Sequence, residues 1–507
     1  MLITDYLLLN AQKYPDAEAI TCIDSNNCRE QISWKDFDTM SNQVANFLKS
    51  QNMKKGDKVG LLLHNSITWL YVYFGILKSG AVAVLLNYNN SIDEIEYCVE
   101  LADCKGLFLS CQDKSHPSLI KKNLWICDCE NAFETITLFR KYSCNFEIND
   151  IFPEDVAAIY FSSGTTGRSK AILISHQSLV SAAQMELSHH NQCFEDRFLC
   201  LCPLYHTGAK IHWFGSLVVG GSIVLYNSRL SPHNLLSVIE KEKITIAFLL
   251  VPQIQDIVDA IKFGDIVLKN YNLTSWRLMH SGAQHVPRLL IKQWQNYFPL
   301  QKYDTNYGLT ESTGPGCIHL GMDNTYKAGS IGRVDSNWNV DIVNNGKSVV
   351  KGEVGELIIK GPGVMLGYYK DELSTSEALI DGWLYTGDMA YMDKDDFIYI
   401  VGRKKDVIIS GGENVYPAQV ENHLRKMPYI KDVAVIGFSN LRMGELVAAV
   451  IEFEENKQYT KKELIEYCSN LPKYQRPCKF IIQKIIRNPM GKIDKREMKK
   501  RYLKKER

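Results

Sequence analysis

Hydrophobic and polar positions change period several times along this chain, and each change marks an element. Over 36–48 the apolar residues recur at helical spacing, and after the turn Lys54-Lys55-Gly56-Asp57 the run Val59-Gly60-Leu61-Leu62-Leu63 reads as a buried strand. A second helix, through Trp69 to residue 78, stops at Ser79-Gly80, and 81–86 is strand again. Strand, helix and strand in that order predict parallel pairing. The alternation returns over 151–400, with strands at 198–202, 222–226, 244–250 and 277–280. From about residue 330 glycine-rich turns separate short strands at 340–343, 355–359, 389–392 and 397–401, the pattern of a small antiparallel barrel. Gly361-Pro362-Gly363 reads as a turn between two of them, since it lacks the spacing of a dinucleotide loop. Beyond Arg403-Lys404-Lys405-Asp406 a helix at 418–426, strands at 433–437 and 446–453, a helix at 461–469 and a basic tail make an α+β unit of ordinary domain size. The expected fold class is α/β: a large N-terminal domain, 1–403, of two parallel-type βα subdomains plus a small β-barrel, then a small α+β C-terminal domain, 404–507.

Composition narrows the classes. At 507 residues the chain exceeds a single core, and about 100–200 residues per domain predicts three or four units. Hydrophobic content of 45% and charged content of 23% belong to a globular protein. A net charge of +1 gives no global field for nucleic acid or an anionic membrane. Apolar runs such as 246–252 fall far short of the roughly 20 residues that span a bilayer, and Met1-Leu2-Ile3-Thr4-Asp5 has no basic n-region of a secretory signal. Fourteen cysteines are scattered along the chain; Cys127/Cys129 and Cys200/Cys202 are CxC pairs, which a strand turns to one face. They read as free thiols in a reducing cytoplasm, with zinc as the lesser alternative.

The stretch with the most chemistry is Ile159-Tyr160-Phe161-Ser162-Ser163-Gly164-Thr165-Thr166-Gly167-Arg168-Ser169-Lys170. A buried strand at 156–161 opens into hydroxyls, two glycines and a terminal lysine. Glycine lets backbone approach a ligand, amides and hydroxyls donate to phosphate oxygens, and lysine adds charge. The Walker pattern does not fit, because Arg168-Ser169 separates Gly167 from Lys170. Taken alone, Ser162, Ser163, Gly164, Thr165, Thr166, Gly167 and Lys170 make either a polyphosphate cradle or a solvated turn between strands. The stretch resembles the phosphate loop of the adenylate-forming superfamily, which holds acyl-CoA synthetases, luciferases and the adenylation domains of peptide synthetases. That pattern is roughly [ST]SGTTGxPKG; here the proline and last glycine are missing, which bears on the loop's rigidity more than its role.

Further stretches match the same superfamily in order. Asn306-Tyr307-Gly308-Leu309-Thr310-Glu311 resembles the segment in which an aromatic stacks on the purine, a threonine bonds the α-phosphate and a glutamate holds Mg²⁺. Ser281-Gly282-Ala283-Gln284 resembles the segment lining the adenine. In Gly382-Trp383-Leu384-Tyr385-Thr386-Gly387-Asp388 the resemblance assigns Asp388 to the ribose hydroxyls, where the plain reading is an aspartate in a surface turn. It assigns Arg403 to the ribose, makes Lys405 the hinge of a mobile C-terminal domain, and leaves room at Gly411 and Gly412 for the pantetheine of CoA; the plain reading there is a basic surface loop. Asn488-Pro489-Met490-Gly491-Lys492-Ile493 resembles the motif whose lysine enters the active site for adenylation.

The resemblance covers nearly the whole chain and implies a cytoplasmic carboxylic acid–CoA ligase using ATP, Mg²⁺ and CoA, with Lys492, Thr310, Glu311 and His206 as catalytic residues. The acyl site is expected along Pro203-Leu204-Tyr205-His206-Thr207-Gly208-Ala209-Lys210 and the helix through Trp213. His206 is either the family's gating position or a core histidine. Tyr205, Trp213 and Gly314 would wall a fatty, alicyclic or aromatic acid; Lys210 and His212 either hold a second carboxylate or face solvent. α-Amino-acid-activating relatives carry an aspartate here, and this chain has none. The alternatives are transfer to a carrier protein's phosphopantetheine and a catalytically silent acyl- or nucleotide-binding relative.

Overall fold

Side-chain caps set where the helices begin. Ser33, Ser66, Ser91, Ser175 and Ser231 each accept from a backbone N–H in the first turn of the helix that follows, satisfying a donor the helix cannot pair itself. Ser66 starts Ile67–Lys78, the helix read from the apolar run before Ser79-Gly80, and every residue of it is buried. Lys78 at its end is 2% exposed, and its Nζ lies 2.6 Å from Asp38 Oδ1 and 2.7 Å from Asn42 Oδ1 on helix Trp34–Ser50. A buried ammonium in that position needs both partners.

The computed structural model describes all residues except 25–27, 111–123, 130, 149, 164–167, 227–229, 285, 441, 456, 458, 488–492 and 504–507, and the side chains of 133, 163, 209, 210, 315 and 316. The chain divides into two compact units: Met1–Asn339 with Ile359–Leu384, and Val340–Ile358 with Tyr385–Arg507.

Two sheets organise the first unit. One runs Gly367–Tyr368, Ser169–Ser175, Val156–Ser163, Val82–Leu85, Lys58–Leu62, Cys104–Leu109, Trp125–Asp128. The strands from Val156–Ser163 to Trp125–Asp128 are parallel, as the βαβ pattern requires. Val156–Ser163 turns back antiparallel on Ser169–Ser175, with Ser162 opposite Lys170. This strand runs two residues past the expected end, so Ser162 and Ser163 belong to the ladder. The other sheet runs Arg333–Val334, Gly314–His319, Lys302–Leu309, Leu278–Ser281, Ile246–Leu249, Arg197–Cys200, Ser222–Tyr226, Glu18–Ile23, Arg29–Ser33, parallel from Lys302–Leu309 through Glu18–Ile23. Helices His176–His190 and Thr207–Val219 pack on each other and on strand Gly314–His319.

The short strands expected at 340–401 join a six-stranded sheet in which Trp383–Met392 pairs antiparallel with Ile398–Arg403. In the second unit, Ile430–Asn440 and Gly444–Phe453 form a long antiparallel pair, and Lys479–Ile482 adds to it in parallel. One face is covered by helices Pro417–Leu424 and Lys461–Tyr467, the other by Lys495–Tyr502. Among the described residues no helix is long and apolar enough to cross a membrane, and the thirteen described cysteines are free thiols.

Candidate active site

In the first unit, three segments far apart in sequence meet around Tyr368. Strand Gly367–Tyr368 pairs with Ser169–Ser175, Tyr368 standing opposite Ile172. The Lys170 ammonium sits 4.8 Å from the centre of the Tyr368 ring. It donates to Ser374 Oγ at 2.5 Å and lies 3.8 Å from Asp371 Oδ2. Asp371 also caps the short helix Glu372–Ala378, accepting from Ser374 N at 3.0 Å; the Ser374 hydroxyl, then this backbone bond and the nearby Lys170 charge, hold its carboxyl below the usual range. On the other side the Tyr368 hydroxyl donates to Glu311 Oε1 at 3.0 Å. The cation at the end of the phosphate stretch and the carboxylate of the Tyr307–Glu311 motif are thereby joined through one phenol.

Glu311 lies in the 3₁₀ turn Thr310–Ser312, which strand Lys302–Leu309 enters directly. Ser312 Oγ accepts from Leu309 N at 2.8 Å, Glu311 O accepts from Met365 N at 2.8 Å, and Thr313, at φ 63, donates through Oγ1 to Gly363 O at 2.6 Å. These bonds fix the turn that presents Thr310 and Glu311. The motif is therefore a strand running directly into a 3₁₀ turn. The left-handed backbone at this corner falls on Thr313, a β-branched residue that its side-chain bond holds there.

The segment expected to line the adenine follows strand Leu278–Ser281, whose Ser281 pairs with Thr305. A Cβ on Gly282 would stand 3.1 Å from Asn306 Oδ1, so a side chain there would press on Asn306, and glycine suits this close approach of the two strand ends. Ala283 takes φ 65. Gly282, Ala283 and Gln284 thus end beside Asn306, Tyr307 and Gly308, outside the carboxyl ends of parallel strands, where open α/β sheets bind ligands. Tyr307 is 8% exposed.

Of the residues expected around the acid, Tyr205 is buried, edge-on to Tyr88 at 5.2 Å, and its hydroxyl accepts from Asn89 at 3.3 Å; burial pushes its phenol up to about 12. His206 leads into helix Thr207–Val219, and Gly314, at φ 85, comes so near that its Cβ would stand 3.0 Å from Thr207 Cβ. Trp213 is not brought to this group. It is fully buried, stacked on Trp34 at 6.4 Å, and bonds Gly221 O at 3.4 Å. His212 does not face solvent: it is 1% exposed, with Nδ1 3.1 Å from Glu186 Oε2. Gly164, Thr165, Thr166, Gly167 and Lys492, and the side chains of Ser163 and Lys210, lie outside the described residues.

In the second unit Asp388 is not in a surface turn. It lies in strand Trp383–Met392, 5% exposed and directly opposite Arg403 in the ladder. Arg403 Nε lies 2.7 Å from Asp388 Oδ1, and its Nη1 donates to Thr386 O at 3.2 Å. Lys405 follows in the exposed 3₁₀ turn Lys404–Asp406. Gly411 and Gly412, at φ 61 and 87, join strands Ile408–Ser410 and Glu413–Val415. Positive φ at both central residues is the type I′ hairpin turn, so the fold favours glycine there on its own account.

A family model described as an AMP-binding enzyme matches residues 8–369. The chain belongs to the AMP-binding enzyme family. Among curated relatives of this AMP-binding enzyme, the long-chain-fatty-acid–CoA ligase FadD13 of Mycobacterium tuberculosis is 28% identical over 481 residues, covering 93% of each chain. The peroxisomal OPC-8:0-CoA ligase 1 of Arabidopsis thaliana is 28% identical over 510 residues, 96% of this chain and 93% of that one. Among solved structures, the o-succinylbenzoate CoA synthetase of Bacillus subtilis in complex with its acyl-adenylate intermediate superposes with a TM-score of 0.84 at 25% identity, covering 99% of this chain and 98% of that one.

Sequence reading of this AMP-binding enzyme missed Tyr368, Asp371 and Ser374. The available signal was slight: Gly367 followed by Tyr368-Tyr369 and a cap residue, Asp371. Only the pairing with Ser169–Ser175 reveals that the segment belongs beside Lys170.

Proposed function

We propose that this chain is an AMP-forming carboxylic acid–CoA ligase: a carboxylate attacks the α-phosphate of ATP and expels pyrophosphate, then the CoA thiol attacks the acyl-adenylate and releases AMP. The observation that carries the reading is the Lys170–Tyr368–Glu311 junction inside the family-matched region. It gathers a cation and a metal-binding type of carboxylate at the mouth of the phosphate stretch.

The physical obstacle in the first step is the approach of two anions. Two unit charges about 4 Å apart repel by roughly 4 kcal/mol at an effective dielectric near 20, which is about a thousandfold in rate. Lys170 and Lys492 oppose that repulsion with fixed charge, and Thr310 donates to the α-phosphate. Glu311 suits Mg²⁺: it is a hard oxygen donor with one oxygen already oriented by Tyr368, and Mg²⁺ is commonly held by one or two carboxylates together with substrate phosphates. When bound, Mg²⁺ supplies charge neutralisation at the phosphates. Ser162 to Gly167 wrap the phosphates, Gly282 to Gln284 with Asn306, Tyr307 and Gly308 receive the adenine, and Asp388 with Arg403 receives the ribose. Tyr205, His206, Lys210 and Gly314 border the acid. Rotation at Lys405 exchanges Lys492 for Gly411 and Gly412, opening the path for CoA. The free thiols accord with a cytoplasmic location.

The test is acid-dependent ATP–pyrophosphate exchange across a panel of fatty, alicyclic and aromatic acids, followed by AMP and thioester formation with CoA. Exchange that requires the acid, and thioester that requires CoA, is the expected result. Thioester formed on a supplied holo-carrier protein with CoA omitted would move the acceptor assignment. No exchange with any acid would remove the ligase reading.

A further inference from the structure

Beneath the adenine segment lies a set of ionisable side chains that the ligase chemistry does not use. Glu186, His190, Asp304 and His280 are all fully buried, and His212 and His319 nearly so. Glu186 and His190 stand one turn apart on one face of helix His176–His190. His212 comes from helix Thr207–Val219 and His280 from strand Leu278–Ser281.

Around one oxygen of Glu186 their atoms converge without bonding one another. His190 Nδ1 and His212 Nδ1 each lie 3.1 Å from Glu186 Oε2, and His280 Nδ1 lies 3.9 Å from it. Yet Glu186 Oε2, His190 Nδ1, His212 Nδ1 and both nitrogens of His280 make no hydrogen bond among the described residues. Nitrogens and a carboxylate oxygen this close, with no hydrogen-bond geometry between them, are grouped as a ligand set would be. The spacing is that of ligands around a metal: at tetrahedral angles, bonds of about 2.0–2.1 Å put neighbouring ligand atoms about 3.3 Å apart. One ligand atom each from Glu186, His190 and His280 falls within 4.8 Å of the others.

The outer contacts fit as well. His190 Nε2 donates to Asp304 Oδ2 at 2.9 Å, and Asp304 Oδ1 accepts from the backbone N–H of Thr305 and of Gly321, each at 2.8 Å. Glu186 Oε1 accepts from Asn306 Nδ2 at 2.9 Å. A carboxylate behind the histidine and an amide behind the glutamate orient ligands in the way metal sites do. His319 Nδ1 lies 3.2 Å from Asp304 Oδ2, and its Nε2 lies 3.7 Å from Glu186 Oε1.

We propose that Glu186, His190 and His280, with His212 as the fourth ligand, hold a structural Zn²⁺ ion in the core of the first unit. The ion balances the two buried carboxylates with neutral imidazoles, closes the site to solvent and braces the strand ends that carry Gly282 and Asn306. Its role is stability, independent of the ligase assignment.

Full-length protein, prepared without a histidine tag from zinc-replete cells, is analysed by mass spectrometry of its metals. About one Zn²⁺ per chain is expected, retained when the native protein is dialysed against chelator and released to a chromogenic chelator on unfolding. His280→Ala and His190→Ala should each lose at least about tenfold in zinc content. Should either variant fail to fold, wild-type protein unfolded, stripped and refolded with Co²⁺ should show the visible bands of tetrahedral cobalt. Folded wild-type protein holding under about 0.1 Zn²⁺ per chain, with a thermal midpoint unmoved by refolding with zinc and a flat cobalt spectrum, overturns the proposal.

Discussion

The Tyr368 hydroxyl donates to Glu311 Oε1 at 3.0 Å while the face of the same ring lies under the Lys170 ammonium. One phenol therefore orients an anion and carries a cation whose motifs are separated by more than a hundred residues. Tyr368→Phe keeps the ring and removes the hydrogen bond. A bond to a charged group contributes on the order of 1.5 kcal/mol, about tenfold. The expected outcome is a rise of that order in the Mg²⁺ concentration needed for ATP–pyrophosphate exchange, with the protein's thermal midpoint nearly unchanged. An unaltered Mg²⁺ dependence would detach Tyr368 from the metal-binding role proposed for Glu311.

Lys492→Ala separates the half-reactions. Adenylation should fall by about a thousandfold, the scale of the uncompensated repulsion, while thioester formation from supplied acyl-adenylate is spared. Equal loss in both steps would contradict the role proposed for Lys492 and the rotation at Lys405.

Asp38→Asn leaves the ammonium of Lys78 buried without its counter-charge. Removing one partner of a buried ion pair destabilises by about 3–5 kcal/mol, so the first denaturant transition should move to lower concentration. Asp38→Asn combined with Lys78→Met should recover most of the loss, because neither charge then remains buried. If the single variant matches wild type, the pair contributes nothing.

His176 starts helix His176–His190 at 1% exposure, and burial lowers its imidazole from the ordinary 6.5 to about 4. Between those values the unfolded chain binds a proton that the folded chain does not. Stability conferred by the neutral ring is therefore complete above pH 6.5 and declines as pH falls towards 4, by up to about 3 kcal/mol. His176→Phe should show a flatter stability profile across that window than wild type. Parallel profiles would mean that His176 is protonated in the folded state.

Local signals carried the fold well. The apolar run through Trp69 and the stop at Ser79-Gly80 were enough to place a helix, observed as Ile67–Lys78, between two parallel strands. The candidate phosphate stretch stood out in the sequence because its hydroxyls, glycines and lysine are contiguous. What the sequence hid depends on pairing across the chain: Tyr368 reaches Lys170 only because a two-residue strand docks on Ser169–Ser175. Asp388 looked like a turn residue because Gly387 precedes it, but the ladder with Ile398–Arg403 buries it against Arg403. Trp213 read as a pocket wall from its neighbours in sequence, whereas its helical phase turns it onto Trp34. The histidine cluster left one trace, the four-residue spacing of Glu186 and His190; the other members arrive from separate elements.

Strand Glu18–Ile23 takes Ser222–Tyr226 as its parallel neighbour, with Ile20 opposite Ile223. The ribosome makes the second of these about 200 residues after the first, which at about 5–20 residues per second is a delay of roughly 10–40 s. During that interval one edge of the emerging hairpin Glu18–Ile23/Arg29–Ser33 has no partner. An apolar edge waiting that long is a docking place for chaperones or for another nascent chain, so truncation before residue 222 should yield aggregated product, while the completed chain closes the gap itself.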